Sequence, residues 1–245
     1  LHWRFDIEQL DELVTDRTRL IFLCNPNNPT GQVLDEDELK AVVEIADRVG
    51  AYLLCDEVYA GMEWDDKPIP RVANYYHKGI STGSVSKVLG LQGLRTGWMI
   101  CRDRKLLFDA MVLREDTSEI MNIMGEAIAE IALRETRYNK MVAAAKIAGR
   151  QNLARLDNWI TGRPELSWHA PSAGLIGFCR LHESLCAEQL CQELLGEPYR
   201  TFVIPGSAYD SPQHLRLGVG GGQAANLDDA LARFGRCLDD MAKTA

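Results

Sequence analysis

The sequence predicts an α/β fold: a doubly wound, mainly parallel sheet with a smaller C-terminal α+β domain. Two observations predict the sheet. Near-continuous apolar runs of strand length, Arg19-Leu-Ile-Phe-Leu-Cys24 and Ala51-Tyr-Leu-Leu-Cys55, are separated by an amphipathic helical stretch rather than by a hairpin turn. Each run also leads into a polar segment, as strands joined by crossover helices do. A third observation predicts the second domain. After Arg104 the chain turns helical and stays free of proline up to Trp159, then mixes short strands with helices.

The elements follow in order. Asp6, with Gln9 three residues on, reads as an N-cap and its capping partner, opening a helix to about Val14. Arg19–Cys24 reads as a buried strand ending at a Pro/Asn-rich turn. Asp35 and Glu38 cap a helix with the apolar stripe Leu39, Val42, Val43, Ala46 and Val49, ended by Gly50. Ala51–Cys55 is the next buried strand, and Thr82–Ser86 and Gly97–Cys101 are two more. From Lys105 to Trp159 the composition predicts two or three helices, including a long connector. Beyond Gly162, strands are expected at Leu175–Leu181, Thr201–Ile204 and His214–Val219. Helices are expected at Cys186–Leu195 and from Asn226 or Asp228. The domain division falls near residue 150, giving 1–150 and 151–245. Gly218–Gly222 lacks the Lys-Ser/Thr of a phosphate loop and reads as a flexible turn.

Composition excludes several classes. Apolar residues make up 46% and charged residues 25%, which is not the profile of a disordered or low-complexity chain. Lys and Arg total 27 against 35 Asp and Glu, and the formal charge of −8 argues against a nucleic-acid partner. No apolar run approaches the ~18–20 residues of a membrane helix. The opening Leu-His-Trp-Arg-Phe-Asp lacks the layout of a signal peptide. Seven cysteines, irregularly spaced and without a CxxC pair, argue against a disulfide framework or a metal site and suit a reduced, cytoplasmic protein.

Three polar clusters then follow at the C-terminal ends of predicted strands, the edge where doubly wound sheets bind ligands. Asn25-Pro-Asn-Asn-Pro-Thr-Gly31 is a rigid turn that presents asparagine amides, or simply a strand-to-helix turn. In Asp56-Glu-Val-Tyr59 a carboxylate leaves a strand with a phenol three residues on; it suits a base, a ligand, a counter-ion or a plain surface charge. Ser84-Val-Ser-Lys87, with Arg95 beyond Gly90 and Gly93, offers two hydroxyls and a guanidinium for an anion and an amine for nucleophilic work. Its bland reading is a lysine in a glycine-rich loop.

In this order the three clusters resemble the fold-type I, pyridoxal-phosphate-dependent class I/II aminotransferases, and the large domain is then that family's cofactor domain. The resemblance implies that Lys87 forms the Schiff base with pyridoxal phosphate and carries the proton as general acid and base. It implies that Asp56 pairs with the ring nitrogen, that Tyr59 and Asn28 donate to the ring's phenolic oxygen, and that Ser84, Ser86 and Arg95 belong to the phosphate cup. His214-Leu-Arg-Leu-Gly218 resembles the segment in which an arginine grips the substrate α-carboxylate, which assigns Arg216 together with Asn28 to substrate binding. Its bland reading is a surface arginine on an edge strand. Trp64 and Tyr209 are read as pocket lining or packing, and His169 and His182 as structural or surface residues. The implied reaction moves an amino group between an amino acid and a 2-oxo acid in a homodimer, without nucleic-acid or membrane partners.

The chain departs from the pattern at its start. It begins at Leu1 without Met and lacks the Ser/Gly loop and stacking aromatic that relatives carry earlier, so it reads as a fragment expected to bind cofactor poorly by itself. Two alternatives stay open: a lyase or cyclase on the same scaffold, and the cofactor-binding module of a transcription regulator.

Overall fold

The computed structural model describes residues 3–118, 122–219 and 224–244. The chain forms two compact units. One comprises residues 4–27 and 32–143, and the other Trp3, residues 28–31 and residues from 144 onward.

The first unit is built on a four-stranded sheet in the order β1-β2-β3-β4, with β1 Leu20–Cys24, β2 Tyr52–Asp56, β3 Gly79–Ser84 and β4 Gly97–Cys101. The first three strands are parallel and β4 is antiparallel to β3. Helix α1 (Ile7–Leu13) starts where Asp6 accepts from the Gln9 amide. Helix α2 (Glu36–Val49) opens with both halves of the Asp35/Glu38 capping box and ends at a left-handed Gly50. Their apolar faces, with short α3 (Val72–Tyr75), cover one side of the sheet. Leu39, Val42, Ile45 and Ala46 pack there on Ile21, Leu23, Leu53 and Cys55. Ile45 takes the buried place in this stripe, while Val43 and Val49 stay half-buried.

Arg19–Cys24, expected as a buried strand, is buried on one face only. Only Ile21 and Leu23 are buried, whereas Leu20 and Phe22 are 52% and 63% exposed. An apolar run shows that both faces can be buried, but not that something covers each one. Among the described residues nothing covers Phe22. The third strand was expected at Thr82–Ser86 but starts earlier, at Gly79, because Gly79-Ile80-Ser81 pairs with β2 despite its weak apolar signal.

The turn after β2 is fastened by Glu57, which is 5% exposed. Its carboxylate accepts from Ser81 Oγ at 2.7 Å, the Val72 amide at 3.0 Å and Arg71 Nη1 at 3.2 Å. Removing one partner from such a buried network leaves donors unsatisfied and a cation unpaired. Glu57→Ala is therefore expected to destabilise the fold by about 3 kcal/mol. Denaturant unfolding of the full-length protein checks this, with Glu57→Gln expected to cost less.

Helices α4 (Arg104–Ser118), α5 (Ile123–Leu133) and the 27-residue α6 (Glu135–Thr161) follow, as the helical composition predicts. Val85 and Leu89 pack with Ala129 and Ala132 of α5. The second unit holds an antiparallel sheet in the order β5-β6-β8-β7: β5 Leu166–Trp168, β6 Ile176–Leu181, β7 Ile204–Pro205 and β8 His214–Gly218. Helices α7 (Ala187–Leu195) and α8 (Ala224–Thr244) accompany it. Its core includes Leu156, Leu181, Leu190, Leu194, Leu215 and Leu238. Strand β5 is too short to register as a sequence pattern. The strand expected at Thr201–Ile204 shrinks to Ile204–Pro205, the only residues of that stretch that pair with β8. The turn expected at Gly218–Gly222 lies largely outside the described residues. Among the described residues no helix is long and apolar enough to cross a membrane.

Candidate functional site

In the first unit the ends of three strands bring most of the expected residues together. Register pairs Cys24 with Asp56 and Asp56 with Thr82, and the Asn25 amide donates to the Asp56 carbonyl at 3.0 Å. Asp56 thus stands at the C-terminal end of the middle strand of β1-β2-β3. It is half-buried, and its Oδ1 accepts from the Val58 amide at 3.1 Å. Its other oxygen makes no hydrogen bond among the described residues. Burial also pushes the neighbouring Cys55 thiol far up, so it stays protonated.

The loop between β3 and β4 carries Ser84, Ser86, Lys87 and Arg95. The antiparallel pair sets Ser84 opposite Gly97, and the Val85 amide donates to the Thr96 carbonyl at 3.3 Å. This closes the loop so that its two ends lie side by side. Ser84 Oγ accepts from the Ser86 amide at 3.3 Å. Arg95 is exposed and left-handed, with φ 52°, and donates to the Gln92 carbonyl at 3.1 Å. Lys87 is exposed, and its Nζ lies 5.9 Å from the ring centre of buried Tyr59. Among the described residues the Lys87 ammonium has no carboxylate partner.

The asparagine turn divides between the units. Asn25 Oδ1 accepts from the Leu34 amide at 3.0 Å, and the Asn27 amide donates to the Gln32 carbonyl, both in the first unit. Asn28–Gly31 belong to the second. There the Gly31 carbonyl accepts from the Ser172 and Ala173 amides at 2.9 Å each. Gly31 has φ 68°, and a Cβ on it would meet Pro171 Cβ at 2.3 Å, so no other residue fits this crossing.

Arg216, half-buried on β8, donates through Nη1 to Asn28 Oδ1 at 3.2 Å and to the Tyr209 hydroxyl oxygen at 2.5 Å. Among the described residues no carboxylate pairs with it. Its cross-strand neighbour is Phe178, and two places along β8 stands His214, stacked on Phe178 with ring centres 4.8 Å apart. Burial, and then the Arg180 guanidinium, hold the His214 imidazole below its ordinary pKa. His182 is exposed and shares a hydrogen bond with Ser184 at 2.9 Å. Two residues escaped the sequence reading. Glu57 looked like half of an acidic pair, and Tyr209, read as lining or packing, bonds to Arg216. The only sequence signal for Tyr209 was its place at the end of the Pro205-Gly-Ser-Ala-Tyr209 segment, ahead of β8.

Chemically, the first unit presents a carboxylate at a strand end, an amine free of counter-charge, and two hydroxyls with a guanidinium in one loop. That set matches a ligand with a basic ring nitrogen, an electrophilic carbon and a phosphate. The second unit presents a cation whose partners among the described residues are neutral, which suits a carboxylate.

Comparison with known proteins agrees with this reading of the fold. A PLP-dependent aminotransferase from Streptococcus suis superposes with a TM-score of 0.90 at 30% identity, over 97% of this chain and 62% of that one. The PLP-dependent cyclase OrfR superposes at 0.87, also at 30% identity, over 96% of this chain and 62% of that one. Histidinol-phosphate aminotransferase 1 of Idiomarina loihiensis is 30% identical over 88% of this chain and 56% of its own length. The chain thus spans little more than half the length of that curated relative. The family model for aminotransferase class I and II matches residues 2–234. The chain belongs to the class I and II aminotransferase family.

Proposed function

We propose that this chain carries the cofactor and substrate residues of a pyridoxal-phosphate-dependent aminotransferase that moves an amino group from an amino acid to a 2-oxo acid. The observation that carries this reading is the Lys87 ammonium, without a carboxylate partner among the described residues, in the loop after β3 beside the strand that ends in Asp56. We divide the chain functionally near residue 150, into the C-terminal part of the cofactor domain with its connecting helices (1–150) and the small domain (151–245).

The donor set fits the cofactor. Lys87 is the covalent attachment point, Asp56 the acceptor for a protonated ring nitrogen, and Ser84, Ser86 and Arg95 the donors to its phosphate. Tyr59 and the Asn28 amide are donors to its phenolic oxygen. When bound, pyridoxal phosphate supplies an electron sink for the pair left as a Cα substituent departs. The remaining work belongs to the protein. Asp56, an anion in a partly desolvated place, holds a proton on the group it faces. Lys87, once its amine is freed by exchange with the substrate amine, takes the Cα proton and returns it on the other side of the transfer. Arg216 holds the α-carboxylate with its planar fork, and Asn28 steadies the fork through Oδ1.

A homodimer suits this reading. α4 buries none of its residues and exposes Phe108, Met111, Val112 and Leu113, an apolar face that calls for a partner. A cytoplasmic location suits the same reading, and the free cysteines are compatible with it.

Arg216→Ala in the full-length protein is expected to raise KM for both the amino acid and the oxo acid about a hundredfold, and Arg216→Lys to recover little of it. Steady-state kinetics with both substrates test this; an unchanged KM removes Arg216 from the site. Cyclisation is the second reading, favoured by the 30% identity to the solved cyclase. Appearance of isotopically labelled nitrogen from a donor amino acid in a newly formed amino acid supports transfer. A cyclic product without such transfer supports cyclisation.

A further inference from the structure

Taking Arg216 as the carboxylate receptor, we propose that Tyr209 is its positioning residue, and that the hydroxyl oxygen of Tyr209 fixes which edge of the guanidinium meets the substrate. Both hydrogen bonds of Arg216 fall on one nitrogen. Nη1 donates to Tyr209 at 2.5 Å and to Asn28 Oδ1 at 3.2 Å. These two acceptors use both hydrogens of Nη1. The Nη2 and Nε hydrogens have no partner among the described residues, so the carboxylate docks along that edge, where two parallel donors match its two oxygens.

Tyr209 is held independently of Arg216. It ends the tight helical turn Gly206–Tyr209 just ahead of β8. Gly206 is buried against that strand, and a Cβ there would meet Ser211 O at 2.1 Å and His214 O at 2.7 Å. Asp210 turns the chain back with φ 53°. The Tyr209 ring stands edge-on to Phe178, with centres 5.8 Å apart, and Phe178 is the cross-strand partner of Arg216. The guanidinium carbon lies 5.5 Å from the ring centre. A ring with few rotatable bonds therefore restrains a side chain with many, before any ligand arrives. The choice of a phenol matters. An Asp or Glu here would pair with Arg216 and cancel the charge that the substrate needs, whereas a neutral oxygen orients the fork and leaves the charge in place.

The test compares Tyr209→Phe, Arg216→Ala and the double variant in the full-length protein. It measures calorimetric binding of pyruvate, 2-oxoglutarate and phenylpyruvate, alongside kcat and KM. Loss of the hydroxyl removes one bond to a charged group. Tyr209→Phe is thus expected to weaken binding of the tightest of the three acids about tenfold and to raise KM to match, with kcat moving far less. The effect must vanish when Arg216 is already Ala, since Tyr209 acts through it. Wild-type affinity in Tyr209→Phe, with binding lost in Arg216→Ala, overturns the positioning role and leaves the Arg216 reading intact. An equal loss on adding Tyr209→Phe to Arg216→Ala also overturns it. Undiminished binding in Arg216→Ala, or no binding of any of the acids to the parent protein, overturns the carboxylate reading and this proposal with it.

Discussion

Lys87→Ala is expected to lower turnover of the full-length protein by about 10⁴-fold or more, because in the proposed reaction one side chain supplies both the covalent attachment and the proton transfer. The ammonium has no ion-pair partner among the described residues, and it stands in a loop whose two ends are tied by the Val85–Thr96 hydrogen bond. Removing it disturbs no salt bridge, so the fold should keep its stability. Thermal unfolding separates the two effects: a melting temperature near that of the parent with activity lost matches the expectation. A variant of this position with activity within about tenfold of the parent contradicts it. Lys87→Arg keeps the charge but cannot readily lose its proton, and it is expected to be as inactive as the alanine variant.

Asp56→Asn has the second largest expected effect. The amide is the same size, and its oxygen can still accept from the Val58 amide as Oδ1 does at 3.1 Å. What disappears is the negative charge at the end of β2, and with it the proposed stabilisation of a protonated ring nitrogen. Losing one partner of a partly desolvated, hydrogen-bonded charge pair costs about 3–5 kcal/mol, which corresponds to roughly 10²–10⁴-fold in rate. Steady-state kinetics should show this in kcat, with KM for the amino acid little changed, since Asp56 does not touch the carboxylate. Asp56→Ala should be at least as slow and, unlike the amide variant, also less stable, because the Val58 amide loses its acceptor. Activity of Asp56→Asn equal to the parent would remove Asp56 from the mechanism.

Much of this architecture was legible before any coordinates. Helix α2 was readable to the residue at its start and its end, since the Asp35/Glu38 box and Gly50 are local signals whose meaning does not depend on distant contacts. Strand β4 and the long α6 were readable for similar reasons: one is a short apolar run after a glycine, the other a long helix-favouring stretch without proline. Errors came where burial or pairing depends on something remote. Leu20 and Phe22 look like core in the sequence and are exposed, because apolarity records what a residue tolerates and not what lies above it. The start of β3 was missed because Gly79 and Ser81 are poor strand formers, held there by pairing with Leu53 and Cys55.

The site divides along the same line. Lys87 and Asp56 are legible as polar groups just past apolar strands, but their proposed roles, like that of Arg216 in the middle of β8, rest on the resemblance to the family. The hydrogen bond from Arg216 to Asn28 spans 188 positions in the chain, and no spacing rule reaches that far. Tyr209 was hidden for a different reason. An aromatic ring ahead of a strand usually means packing, and only the direction of its oxygen, set by the turn at Gly206, gives it another role.

The central claim, that Lys87 is the attachment point for pyridoxal phosphate, is tested most directly by chemical trapping. The full-length protein is incubated with the cofactor, reduced with borohydride, digested and sequenced by mass spectrometry. The account predicts the reduced cofactor on the peptide that contains Lys87, and none on that peptide in Lys87→Ala. Cofactor fixed to a different lysine of the parent protein, or no fixed cofactor in a protein saturated with it, would contradict the account.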